Sequence, residues 1–179
     1  MDEREPLGRP HRSSGLMTLP VDLPRFDEVC RRLDERRARI LAELHPDLRV
    51  RIDRILRDPR FAPWEGHRSD AKQRDAYARG ASNAAPGQSP HNHLPALACD
   101  LVLDPRHVRV RPSKSNPEYP DLWDDESPDA QHAWQALDQM AAAAGLGRVR
   151  IRRRGAPRGV TVPDLPHVEL PNWRDLAAR

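Results

Sequence analysis

A single carboxylate inside an apolar run constrains this chain more than any other feature. Residues 97–103 read Leu-Ala-Cys-Asp-Leu-Val-Leu. Strand alternation places Leu97, Cys99, Leu101 and Leu103 on one face and Ala98, Asp100 and Val102 on the other. Asp100 is the one polar residue of the run, so the strand belongs inside the fold. An unpaired carboxylate is costly to bury there. Asp100 therefore wants a cation, either one of the chain's many arginines or a metal. Just upstream, Ser89-Pro90-His91-Asn92-His93-Leu94-Pro95 offers two histidines on a loop stiffened by proline.

A second stretch near the C-terminus, Asp164-Leu165-Pro166-His167-Val168-Glu169-Leu170, adds another acid and another histidine. Zinc in a catalytic site takes three protein ligands and keeps one position open. The set His91, Asp100 and His167 offers two nitrogens and one oxygen for Zn2+. A hydrolytic site also needs a base near the attacking water. Asp164 is three residues before His167, and strand positions three apart face opposite sides. A bend at Leu165-Pro166 brings the two into one cavity; otherwise Asp164 is a turn acid beside proline. Glu169 shares a strand face with His167 and either orients that ligand or meets solvent.

The rest of the chain reads as the frame. Residues 1–20 mix Pro, Gly, Ser and charge without periodicity, and are expected to form a flexible arm. Residues 22–44 carry apolar positions at spacings of three and four, a helix with Pro24 in its first turn and Pro46 as its stop. A second helix spans residues 47–57. Residues 61–69 read as a strand ending in a turn. Ser69 caps a helix running to Gly80, with Asp70 and Gln73 in capping-box spacing. The long Pro- and Arg-rich connection over residues 104–126 is of the sort that borders a functional cleft. Ser127 and Pro128 open a last clear helix, striped by Trp134, Leu137, Met140, Ala141 and Ala144 and closed by Gly145. Residues 149–151 and 159–162 can pair as a hairpin, with a short strand after it at 167–170. Helices early and short strands late predict an α+β domain with a small antiparallel sheet.

Composition narrows the function classes. With 179 residues the chain is long enough for one domain with a real core. Nineteen prolines against nine glycines point to stiff loops. Two cysteines, Cys30 and Cys99, make no disulfide scaffold. No apolar run reaches the length of a membrane span, so no membrane partner is expected. A formal charge of +3 is too small to imply nucleic acid. Arg148, Arg150, Arg152, Arg153, Arg154 and Arg158 do cluster, either as a solvated hairpin face or as a patch for a polyanion. Interleaved aromatics and a reading helix are missing, so no nucleic acid is expected. The polar first 19 residues lack the apolar stretch of a secretory signal, and the expectation is synthesis in the cytoplasm.

Ser89-x-His91-Asn92-x-x-Pro95-x-x-Ala98-x-Asp100 and Asp164-x-Pro166-His167-x-Glu169-Leu170 together resemble the two metal motifs of the zinc D-Ala-D-Ala carboxypeptidase and L-alanyl-D-glutamate endopeptidase family, in a spelling like that of phage endolysins. Glu65-Gly66-His67-Arg68-Ser69, followed by Gln73, Tyr77 and Gly80, resembles the family's upstream motif. Residues 134–146 resemble its helix ending in Gly-Leu. The resemblance runs from about residue 61 to 170 in the correct order.

The resemblance implies a hedgehog/DD-peptidase-like fold, an α+β domain over residues 61–179 whose antiparallel sheet carries zinc, preceded by a helical segment over 21–60. It implies His91, Asp100 and His167 as ligands and Asp164 as general base. Arg68 would face the substrate carbonyl and stabilise the oxyanion. Ser89 would either bond a substrate carboxylate or brace its loop. Gln73 and Tyr77, four apart on a helix, are expected to pack. The family spacing with His-Asn and Pro nine residues before the Asp selects His91 over His93, which has the alternative spacing of seven but Ala96 where those members carry Gly. A Gly-Gly-x-Trp stretch common before the second motif is replaced here by the arginine-rich hairpin. The implied substrate is the stem peptide of bacterial peptidoglycan, cut at L-Ala–D-Glu or at a D-Ala–D-Ala end. A wall-binding domain that holds zinc without turnover is the alternative. A wall substrate requires release from the cytoplasm by another route, such as a phage lysis system or an injection particle.

Overall fold

The computed structural model describes residues 23–151 and 162–178. The expected arm over residues 1–20 and the hairpin arginines Arg152, Arg153, Arg154 and Arg158 lie outside the described residues. The architecture is α+β, with a three-stranded antiparallel sheet and helices packed around it. None of the described helices is long and apolar enough to cross a membrane.

Helix α1, Phe26–Glu43, buries Val29, Cys30, Leu33, Ile40 and Leu41. Pro24 stands in the turn before it, not in its first turn. Helix α2, Pro46–Ile55, buries Leu48, Ile52 and Ile55. Pro46 separates the helices as expected, but it does so by opening the second, where its missing N–H leaves no bond unmade. His45 Nδ1 accepts from the Asp47 amide at 3.3 Å and caps that end.

The sheet is built from β1 (Phe61–Glu65), β2 (Ala98–Leu103) and β5 (His167–Glu169), with β2 in the centre. Its two faces follow the sequence alternation. Cys99, Leu101 and Leu103 join the main core with Ile40, Leu48, Ile52, Trp134 and Leu137. Val102 meets Val29 and Leu33 of α1 and Leu122 of the long connection in a smaller cluster. Cover on both faces is why the strand sequence is apolar without a break.

Helix α3, Asp70–Ala78, has Ser69 as its cap, accepting from the Lys72 amide at 3.4 Å. Gln73 is not part of a capping box. It is fully buried, and its amide donates to Ser82 Oγ and the Ala84 carbonyl at 2.8 and 2.6 Å. Tyr77, expected to pack, is half exposed. Helix α4, Pro128–Ala143, starts where expected, but Ser127 does not cap it. The Ser127 hydroxyl donates to the Arg109 carbonyl, while buried Asp124 takes the Glu126 and Ser127 amides. The hairpin is present at its described ends: β3 (Arg150–Ile151) pairs antiparallel with β4 (Val162–Pro163). A short C-terminal helix, α5 (Trp173–Ala177), follows β5.

Candidate metal centre

Register on the central strand assembles the site. Asp100 pairs with His167 across β2 and β5, and with Glu65 across β2 and β1. His91 arrives from a single 3-10 turn, Pro90–Asn92, capped by the buried Ser89. His91 Nε2, His167 Nδ1 and Asp100 Oδ1 converge with separations of 3.1, 3.1 and 3.3 Å. These three residues form a group able to hold a metal ion among the described residues. A tetrahedral zinc with bonds of about 2.0–2.2 Å needs ligand-to-ligand edges of about 3.3–3.5 Å, so the triangle fits with a slight opening.

Hydrogen bonds behind the ligands set which nitrogen faces the centre. His91 Nδ1–H donates to the Gly66 carbonyl at 2.7 Å, which leaves the Nε2 lone pair for the centre. His167 Nε2–H donates to Glu169 Oε2 at 3.0 Å and leaves Nδ1. Two lone pairs and a carboxylate oxygen thus face one another, an arrangement that calls for a cation. Burial disfavours a charged His167, but its bonds to Asp100 and Glu169 outweigh that and push its pKa up to about 9. Burial likewise opposes the Asp100 charge, yet the adjacent His91 and His167 hold its carboxyl well below the usual carboxylate range. Without metal, a proton on His167 occupies the place of the cation.

The loop carrying His91 is tied down at several points. The Arg68 amide donates to the His91 carbonyl at 2.8 Å, and Asn92 Nδ2 donates to the Arg68 carbonyl at 2.8 Å. Asn92 Oδ1 accepts from the Gly87 and Ser89 amides. Ser89 Oγ accepts from the His91 amide at 3.3 Å, so its oxygen braces the turn while the residue lines the cleft. His93 is absent from the triangle. Its ring lies 5.8 Å from that of Trp173, on the wall of a neighbouring groove.

Arg68 occupies the space between two acids that face each other across strands. It bonds Glu65 through Nε at 2.8 Å and through Nη2, reaches Asp100 Oδ2 at 3.5 Å, and donates from Nη1 to Gln73 at 3.1 Å. Like charges opposite each other on neighbouring strands repel, and the guanidinium relieves this. With Oδ2 turned to Arg68, Asp100 presents only Oδ1 to the histidines.

Asp164 lines the same cleft as the triangle. The bend at Leu165-Pro166 is present, and the His167 amide donates back to the Asp164 carbonyl at 3.2 Å. Burial pushes the Asp164 carboxyl above its usual range, which makes it a better proton acceptor. The cleft has a volume of about 540 Å³, and Trp123 of the long connection forms part of its wall.

Three supporting groups escaped the sequence reading. Glu65 anchors Arg68, and the Gly66 carbonyl sets the His91 tautomer. Arg148, grouped above with a hairpin face, is mostly buried. It donates to the His167 and Leu165 carbonyls at 2.8 and 2.9 Å and pairs with Asp138 at 2.7 Å. Only the glycine inside Glu-Gly-His-Arg and the arginine directly after Gly147 could have hinted at these, and neither pattern is specific.

No protein-family model matches the chain, and no curated protein matches it. Among solved structures, it is similar to the crystal structure of Serratia marcescens L-Ala D-Glu endopeptidase ChiX. The identity is 25%, the TM-score 0.46, and the match covers 79% of this chain and 90% of that one.

Proposed function

We propose that this protein is a zinc-dependent peptidase that hydrolyses the stem peptide of bacterial peptidoglycan, as an L-Ala–D-Glu endopeptidase. The observation that carries the chemistry is the triangle of His91 Nε2, His167 Nδ1 and Asp100 Oδ1 in a cleft that Asp164 also lines. The substrate class is supported by the resemblance of the two motifs.

When bound at these three atoms, zinc supplies Lewis-acid polarisation of a carbonyl and an acidified water. The chain supplies the rest. Asp164 accepts a proton from the attacking water and later returns it to the leaving amine. Its raised proton affinity suits both directions of that transfer. Arg68 has four of its five N–H groups directed at Glu65, Gln73 and Asp100, which leaves one Nη1 hydrogen for a developing oxyanion. Its larger share of the work is to hold Asp100 with a single oxygen forward. Ser89, whose oxygen already accepts a bond, has its hydroxyl proton left for a substrate carboxylate.

The test is digestion of purified murein with zinc, in parallel with a chelator, read by mass spectrometry of the fragments. New L-Ala carboxyl and D-Glu amino ends that vanish with chelator are expected. Loss of only a terminal D-Ala would make it a carboxypeptidase. Murein binding without any cleavage would make it a wall-binding domain and end the peptidase reading.

A further inference from the structure

The cleft does not end at the metal centre. A second, more open groove of about 740 Å³ adjoins it, and Trp173 and Arg174 of α5 line both. The two differ in charge. Asp100, Asp164 and Glu169 line the cleft together with Arg68, whereas the groove has Arg174 and His93 and no acid. Arg174 lines both, so it offers a negatively charged group of a bound chain a cationic partner where the two meet.

Arg174 is built to receive such a group. Trp173 is buried and fixed in the main core, with the His93 ring 5.8 Å away. The Arg174 guanidinium lies 4.4 Å over the Trp173 ring. Stacking on an aromatic face holds the guanidinium plane and leaves its edge N–H groups free for two parallel bonds to a carboxylate. Arg174 is exposed and has no acidic partner among the described residues. Arg68, Arg106, Arg111 and Arg148, in contrast, are each held by acids.

We infer that Trp173 and Arg174 form a carboxylate-reading subsite that takes an acidic peptide running from the metal cleft into the adjoining groove. The inference rests on the peptidase reading and sharpens it. A groove that continues past the centre suits cleavage within a chain. The carboxylate that Arg174 reads is the free α-carboxylate of the γ-linked D-Glu, which stays at the junction with the metal cleft because its carbon bears the scissile nitrogen, while the rest of the peptide runs into the groove.

The test uses full-length zinc-loaded protein and two synthetic peptides, L-Ala-γ-D-Glu-L-Lys with a free D-Glu α-carboxylate and the same peptide as its α-carboxamide. Dissociation constants come from calorimetry and kcat and KM from turnover, for wild type, R174Q and R174K. Wild type is expected to prefer the carboxylate by about tenfold or more, the scale of a charge-assisted pair. R174Q should lose that preference through KM with kcat held, and R174K should restore part of it. A merely structural role would weaken both peptides equally. Equal binding of the two by wild type, retained preference in R174Q, or no binding of either overturns the subsite. Preferential binding without turnover would leave the subsite standing and sink the peptidase reading.

Discussion

The two halves of the metal centre are held in different ways. His91 sits on a turn bound to the 66–68 segment by three separate hydrogen bonds, from the Arg68 amide, the Asn92 amide side chain and the His91 ring, and braced within itself by the Ser89 cap. His167 opens β5, paired with Asp100 on β2, and Asp164 lies just before the Leu165-Pro166 bend that leads into it. Behind that bend a single side chain, Arg148, holds two carbonyls at once. One half is tied by side chains to a neighbouring loop, whereas the other rests on sheet pairing, with the Leu101 amide on the Pro166 carbonyl and the Asp164 amide on the Val149 carbonyl, and on Arg148.

Removing a ligand should have the largest effect. Asp100→Ala is expected to abolish stoichiometric zinc binding in competition titrations, with both histidines left uncompensated, while His93→Ala keeps it. Zinc retained by Asp100→Ala or lost by His93→Ala would disprove the triangle. Asp164→Asn should come next: zinc stays bound and turnover on murein drops by about 10²–10⁴-fold, the range for a positioned base. Full activity in that variant would remove Asp164 from the chemistry.

The comparison between halves is tested directly by Arg148→Met and Asn92→Ala. Each deletes bonds behind one half. Arg148→Met should lower stability by about 2–4 kcal/mol, since its bonds carry a charge, and weaken zinc by about 10–100-fold. Asn92→Ala should cost zinc affinity less than about tenfold, because the Arg68 amide and the Gly66 carbonyl still hold His91 directly. Equal losses would break the distinction.

The smallest effect is a pH slope. His167, raised to about 9 in the metal-free protein, must release its proton before zinc enters. Zinc affinity should therefore rise about tenfold per pH unit from the ordinary imidazole value up to about 9. The raised pKa stabilises the metal-free fold below the ordinary value, and that contribution disappears as pH rises through about 9. Thermal melts with and without zinc across this window should diverge as pH increases. Parallel curves would show that no proton is displaced at His167.

Much of the frame was legible before any coordinates. The face alternation of residues 97–103 is observed, as are the helices at α1, α2, α3 and α4 and the pairing of β3 with β4. The structure gathers His91, not His93, with Asp100 and His167. The errors were local in kind. Pro46 opens a helix as well as ending one, Ser127 points its hydroxyl elsewhere, and Tyr77 is not packed. Caps and exposed faces depend on which neighbour folds against them, and spacing along the chain is silent on that.

What the sequence determined by itself was the inventory. Burial follows from apolar periodicity, so the chain's own pattern placed an acid in an interior strand and histidines beside it. Tertiary structure decided the rest. The register of β5 on β2 brought His167 opposite Asp100 across 67 residues of chain. Glu65 and Asp100 trapped Arg68 between them, and Arg148 reached back to the His167 bend. The physical reason is range. Side-chain period is written into neighbouring residues, whereas convergence of three donor atoms within hydrogen-bonding distance requires strands and loops far apart in sequence to be fixed at once.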